Sequence, residues 1–144
     1  MKACTFFGHR NTPENAEEPL RKILTQLIEK EGVSLFYVGN QGNFDRMVRK
    51  VLKDLKQIYP HITYHIVLAY FPRSTQEDYI DTIYPDGLEL TPPKYAIDKR
   101  NRWMLERSDY VVSYVVHTFG GAGKFKELAE KKEKYVINLP MLRS

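Results

Sequence analysis

The sequence predicts an α/β fold, a Rossmann-like three-layer sandwich around a five-stranded parallel sheet in the order 3-2-1-4-5. Two observations carry that reading. Short, nearly continuous apolar runs alternate with longer segments of helical periodicity. The runs lack the apolar–polar alternation of a sheet with one wet face, so both faces must be covered by helices. The scale fits as well. With 144 residues, 42% of them hydrophobic, the chain suffices for a single domain, residues 1–144.

The elements follow in order. Ala3–Phe7 is the first strand, short and aromatic. Asn11–Glu18 carries turn formers, and Pro19 marks the start of a helix. Leu20, Ile23, Leu24, Leu27 and Ile28 then share one helical face, and Gly32 stops it. Leu35–Val38, the second strand, runs into Gly39-Asn40-Gln41-Gly42. Phe44, Met47, Val48, Val51, Leu52, Leu55 and Ile58 form a second helical stripe closed by Pro60. Ile62–Tyr70, Tyr110–Val116 and Tyr135–Leu139 supply the remaining strands. Residues 71–93 show no usable period, and an aromatic loop of that length is expected to act as a lid. Pro92-Pro93 then opens a helix reaching to about Arg107.

Composition closes off several classes. No run approaches the roughly 18 apolar residues of a membrane-spanning helix, so no membrane partner is expected. The opening MKACTFFGHR lacks the long apolar run and small-residue cleavage site of a secretory signal, and a cytoplasmic location is expected. Cys4 is the single cysteine, which excludes an internal disulfide framework and a cysteine-based zinc cluster. His9, His61, His65 and His117 show no metal-ligand spacing, and no metal or cofactor is expected. Lys and Arg number 22 against 18 Asp and Glu, a net charge of +4 spread evenly along the chain. On that balance nucleic acid is not expected as a partner.

In an open parallel sheet, ligands bind beyond the carboxyl ends of the strands. Three such ends carry candidate residues. Gly8-His9-Arg10 follows the first strand, where a glycine lets backbone approach a ligand and Arg10 can hold a phosphate. Gly39 and Asn40 follow the second, at a helix start whose N–H groups favour an anion; Asn43 or Asp45 there can equally serve as a cap. Gly120, Gly121, Gly123 and Lys124 follow the fourth and can wrap a phosphate, although the spacing is not that of a Walker loop. Arg100 is a further candidate. It falls on the apolar stripe of Ala96, Ile97, Trp103 and Met104, where a charge must be paired or aimed into a site.

FFGHR, GNQGNFD, YPDGLE, PPKYAIDKRNRWMLERSDYVVSYV and GGAGKFKELAEKK, in that order, resemble the YpsA-like proteins (the DUF1273 group) of the SLOG superfamily. That superfamily also includes the LOG phosphoribohydrolases, the DNA-processing protein DprA and nucleotide-sensing modules of defence proteins. LOG enzymes carry Pro-Gly-Gly-x-Gly-Thr-x-x-Glu. Gly120, Gly121, Gly123 and Glu127 fall at matching places, with Phe119 for the proline and Lys124 for the threonine. Arg100 and Met104 match an Arg and a Met four residues apart in the preceding LOG helix. The resemblance implies a catalytic role for Arg100 and Glu127 in cleaving an N-glycosidic bond, and a homodimer.

The expectation is a site built from Gly8, His9, Arg10, Gly39, Asn40, Arg100, Gly120, Gly121, Gly123, Lys124 and Glu127, with Tyr79 or Tyr84 folded over it. Its expected ligand is a nucleotide or a nucleotide-derived metabolite, bound by a sensor or regulatory module. The alternative is a LOG-like hydrolase acting on a nucleoside 5′-monophosphate.

Overall fold

The computed structural model describes residues 1–70 and 82–142. Ten elements build it: β1 (Lys2–Gly8), α1 (Glu17–Lys30), β2 (Val33–Val38), α2 (Gly42–Ile58), β3 (Thr63–Val67), β4 (Thr82–Ile83), α3 (Pro93–Glu106), β5 (Tyr110–Tyr114), α4 (Gly121–Lys131) and β6 (Tyr135–Asn138). All strand pairs are parallel, in the order β4-β3-β2-β1-β5-β6.

The expected order therefore stands, with a sixth strand added at one edge. Thr82–Ile83 lies inside the segment expected as a lid and pairs with Ile66–Val67. Two residues are too few to impose a period, so the strand left no mark in the sequence.

Residues of alternate parity in β1 feed two separate cores. Cys4 and Phe6 pack with Leu20, Leu24 and Leu27 of α1 and with Phe44, Val48, Val51 and Leu52 of α2. Ala3 and Phe7 pack with Met104 and Leu105 of α3 and with Phe125 and Ala129 of α4. In β5, Val112 joins the first core and Val111 the second. The period of two is thus hidden within continuous apolar runs because both of its phases are apolar. Thr5 is fully buried, and its hydroxyl donates to the carbonyl oxygen of Tyr37 at 2.9 Å. The lone thiol, Cys4, is buried, and burial pushes its pKa up strongly, so it is not a reactive cysteine.

This arrangement puts the carboxyl ends of β1, β2 and β5 beside the amino ends of α2 and α4. Gly8, where β1 ends, sits directly on the core. A Cβ there would lie 2.3 Å from ring atoms of Phe44, which is itself fully buried. Gly8→Ala is therefore expected to destabilise the fold by ~1–3 kcal/mol through overpacking. The urea midpoint should fall with an unchanged m-value; an unchanged midpoint would show that Phe44 yields freely.

Candidate functional site

A cleft of about 320 Å³ opens beyond the carboxyl ends of the strands, at the small end of the range of ligand sites. Among its walls are Gly8, His9 and Arg10 from the end of β1, Gln41 and Asp45 from the start of α2, Arg100 and Asn101 from α3, and Gly120 and Gly121 at the start of α4.

Arg100 forms the floor. It is 2% exposed, as its place on the stripe of Ala96 and Met104 requires. Its Nη1 donates to the Val67 carbonyl at 2.9 Å and its Nε to Asn101 Oδ1 at 2.8 Å. Both partners are neutral. Among the described residues no carboxylate comes within 4.0 Å of the guanidinium. Burial lowers its pKa, while the charges of Asp45 and Tyr70 work to raise it.

Asp45 is the buried carboxylate of the cleft. Its Oδ2 accepts the Gln41 backbone N–H at 2.9 Å. Burial raises its pKa, opposed by that hydrogen bond and by the positive charges of Arg100 and Arg49. Gly39 lies between the two ionisable groups. A Cβ there would stand 2.6 Å from Asp45 Oδ2 and 2.8 Å from Arg100 Nη1. The absence of a side chain at position 39 lets these groups approach the backbone and each other.

The opposite wall is the start of α4. Gly120 turns the chain with φ 89°, a conformation that favours glycine, and nothing stands within 4 Å of a Cβ placed at Gly120 or Gly121. No side chain caps this helix and no acidic residue sits in its first turn. Its first N–H groups and the positive end of its dipole thus face the cleft without a partner among the described residues.

Above them His9, His117 and Phe119 form a ladder of rings. The ring centroids of His9 and His117 are 3.9 Å apart at 16°, and those of His117 and Phe119 are 3.8 Å apart at 11°. His9 Nε2 accepts the Val116 N–H at 3.0 Å, which requires that nitrogen to be unprotonated. His117 Nδ1 lies 3.0 Å from the Phe119 carbonyl, which can only accept, so this nitrogen carries the proton. Asn138 at the end of β6 fixes the loop that holds these rings. Its Oδ1 accepts the Val115 N–H, and its Nδ2 donates to the Val115 carbonyl, both at 2.9 Å.

The structure brings Gly8, His9, Arg10, Arg100, Gly120 and Gly121 together in the cleft. Gly39 lies buried directly behind Asp45 and Arg100. Four expected residues sit apart from the cleft wall. Asn40 is exposed, and its Oδ1 accepts from Gln41 Nε2. Gly123 is there for packing, since a Cβ would stand 2.6 Å from the Thr118 carbonyl oxygen. Lys124 is paired with Asp98 of α3, which also binds Arg102. Burial works to raise the pKa of Asp98, but the hydrogen bonds from Lys124 and Arg102 lower it overall. Glu127 has its side chain 63% exposed, 3.6 Å from Lys131, in a shallow hollow with Arg102 and Lys124. Tyr84 packs against the small cluster of Ala69, Leu88 and Ala96, and Tyr79 lies outside the described residues. No helix among the described residues is long and apolar enough to cross a membrane.

Sequence reasoning does not assign Asp45, Gln41, Asn101, His117 or Phe119 to the site. Asp45 had a signal, a carboxylate in the first turn after a glycine-rich loop, but a helix cap accounts for the same pattern. The ring ladder had none, because His9 and His117 are far apart in the chain.

No known family model and no curated protein matches the chain. Among solved structures, the DNA processing protein A (DprA) from Streptococcus pneumoniae superposes with a TM-score of 0.67 at 16% identity, over 94% of this chain and 49% of that one. DprA from Helicobacter pylori gives a TM-score of 0.64 at 16% identity, over 94% of this chain and 63% of that one. The chain thus spans about half of one and less than two thirds of the other, and the likeness is one of fold. The Helicobacter pylori protein is described by its single-stranded DNA binding mode. The expectation that nucleic acid is not a partner does not hold against this, since a DprA of the same fold binds it. Its physical basis was also too coarse. Single-strand binding needs a local groove of positive charge and stacking rings, and net charge measures neither.

The stack has a measurable consequence. Burial and then the neighbouring His117 charge lower the His9 pKa below the usual value of about 6.5. Neutral His9 is favoured in the folded chain, so its contribution to stability is present above that value and is lost as pH falls towards the folded midpoint. An NMR titration of the His9 ring is expected to give a midpoint below that of a model histidine peptide. A midpoint at or above the peptide value would show that the ladder is not held in solution.

Proposed function

We propose that the cleft binds the phosphate-bearing part of a nucleotide, as a free nucleotide or metabolite or as a unit of a single-stranded nucleic acid. The observation that carries this reading is Arg100, a buried guanidinium whose hydrogen-bond partners are neutral, in the same cleft as an uncapped helix N-terminus. A buried charge of this kind leaves a positive potential that an anion can neutralise. Arg10, exposed at the mouth, adds a second guanidinium suited to phosphate. Asp45 lies within the same site and suits a hydroxyl or amino donor of the ligand. The fold shared with DprA and the motifs resembling YpsA-like SLOG proteins support the same class of ligand.

The hydrolytic alternative requires a carboxylate at the bond to be cleaved. Glu127, to which the resemblance gives that role, is exposed and paired with Lys131 outside the cleft lining, which speaks against it as that carboxylate. The reading is therefore a binding or sensing site first.

The test is an incubation of the protein with a mixture of nucleoside monophosphates, NAD and ADP-ribose, alongside a single-stranded oligonucleotide. Retained and free fractions are then analysed by chromatography with mass detection. An intact nucleotide or strand retained by the wild type, and bound about 10- to 100-fold more weakly by Arg100→Met, is the expected result. Retention unaffected by Arg100→Met, with the variant folded by circular dichroism, would refute the role of the cleft. Free base that accumulates with the wild type and not with Glu127→Gln would establish the hydrolase instead.

A further inference from the structure

We infer that the outer face of Phe119 is a stacking platform for a nucleobase, next to the phosphate site, on whose reading the inference rests. Phe119 is 72% exposed although one face of its ring lies 3.8 Å from His117. Its other face is therefore the exposed one. An isolated aromatic ring on a surface needs no explanation. Phe119 is different because it terminates an ordered ladder that begins inside the cleft. His9 and His117 line the cleft, and Phe119 stacks on His117 directly before Gly120 of the cleft wall. A planar ligand ring would be the next rung.

The loop that carries the platform is also tied in place by hydrogen bonds. Asn138 holds Val115 by two hydrogen bonds, and Val116 is tied to His9. His117 is tied to the Phe119 carbonyl. These ties order the backbone of the loop, so less backbone freedom remains to be lost on binding. The residue after Phe119 is Gly120, where the chain turns into the uncapped start of α4. A base on Phe119 and a phosphate at that helix would thus be held by adjacent residues of one loop. Recognition by a ring face tolerates every base, so the chemical class is a nucleobase without strong sequence preference. The base can belong to a free nucleotide or to a single strand.

The test compares each ligand with its base-free counterpart. One arm sets AMP against ribose 5-phosphate, and the other sets a single-stranded deoxyadenosine 12-mer against an abasic strand of equal length; both are read by calorimetry or anisotropy. The wild type is expected to prefer the base-bearing ligand about tenfold in at least one arm. Phe119→Ala should abolish that preference and leave the base-free ligand's affinity unchanged, while Phe119→Trp should retain it. Phe119 is exposed, and a thermal midpoint checks that the variants are folded. Preference in the first arm identifies a free nucleotide; preference in the second alone identifies a strand. Base-free ligands that bind as well as base-bearing ones, or a preference that survives Phe119→Ala, would overturn the platform and leave the phosphate site standing. Absence of binding by all four ligands would overturn both.

Discussion

A guanidinium buried without a carboxylate against it among the described residues is the constraint on which the cleft depends. Removing an ionised group from water costs several kcal/mol even after relaxation. Arg100 offsets part of that with two neutral acceptors, the Val67 carbonyl at the end of β3 and the Asn101 amide. The first acceptor comes from the end of β3 and the second from the next residue of α3 itself. The charge of Asp45 helps from the far side of Gly39, yet Asp45 is itself pushed towards its neutral form by burial. The chain thus keeps a buried guanidinium at the floor of the cleft and places the start of α4 opposite it. A protein selected for stability alone would fill this position with an apolar side chain.

Much of the fold was legible because its determinants are local. Both β1 phases are apolar, so the strand reads as a continuous run and declares a sheet covered on two sides. The stripes of α1 and α2 repeat over several turns and place the first core. The edge strand Thr82–Ile83 was not legible, since its placement is settled by pairing with β3 rather than by any pattern of its own. Arg100 is the informative case for the site. A charge on an apolar stripe is a local contradiction, and such contradictions are where function is expected to be found. The glycines were harder to sort. Gly8 and Gly123 are demanded by packing, Gly39 by the ionisable groups beside it, and Gly120 by the turn and the open space at its backbone. A sequence shows four glycines at strand ends and no difference among them.

Glu127 and Lys124 show where motif alignment and geometry part. Both fall at places where a related motif carries function, and both lie on the first turns of α4. Lys124 replaces a hydroxyl residue of that motif, and a long charged side chain reaches outward to Asp98 where a short hydroxyl would stay by the loop. The ion pair then ties α4 to α3 along the outer surface. Glu127 follows it to the surface and pairs with Lys131. The carboxylate that the cleft holds comes instead from α2, a different strand end, at Asp45.

The loop from Val115 to Gly121 joins the two halves of the proposed site, and its order comes from outside the site. Asn138, at the end of the edge strand β6, binds Val115 through both ends of its amide and also accepts from Ser113. An amide that satisfies a donor and an acceptor at once fixes direction as well as position. From that anchor the chain passes through the ring ladder to the glycine turn, so ring planes and helix N–H groups are set by the same few residues. Parallel pairing of β6 with β5 is what brings Asn138 opposite Ser113. The sheet register at one edge therefore determines the geometry of the cleft mouth.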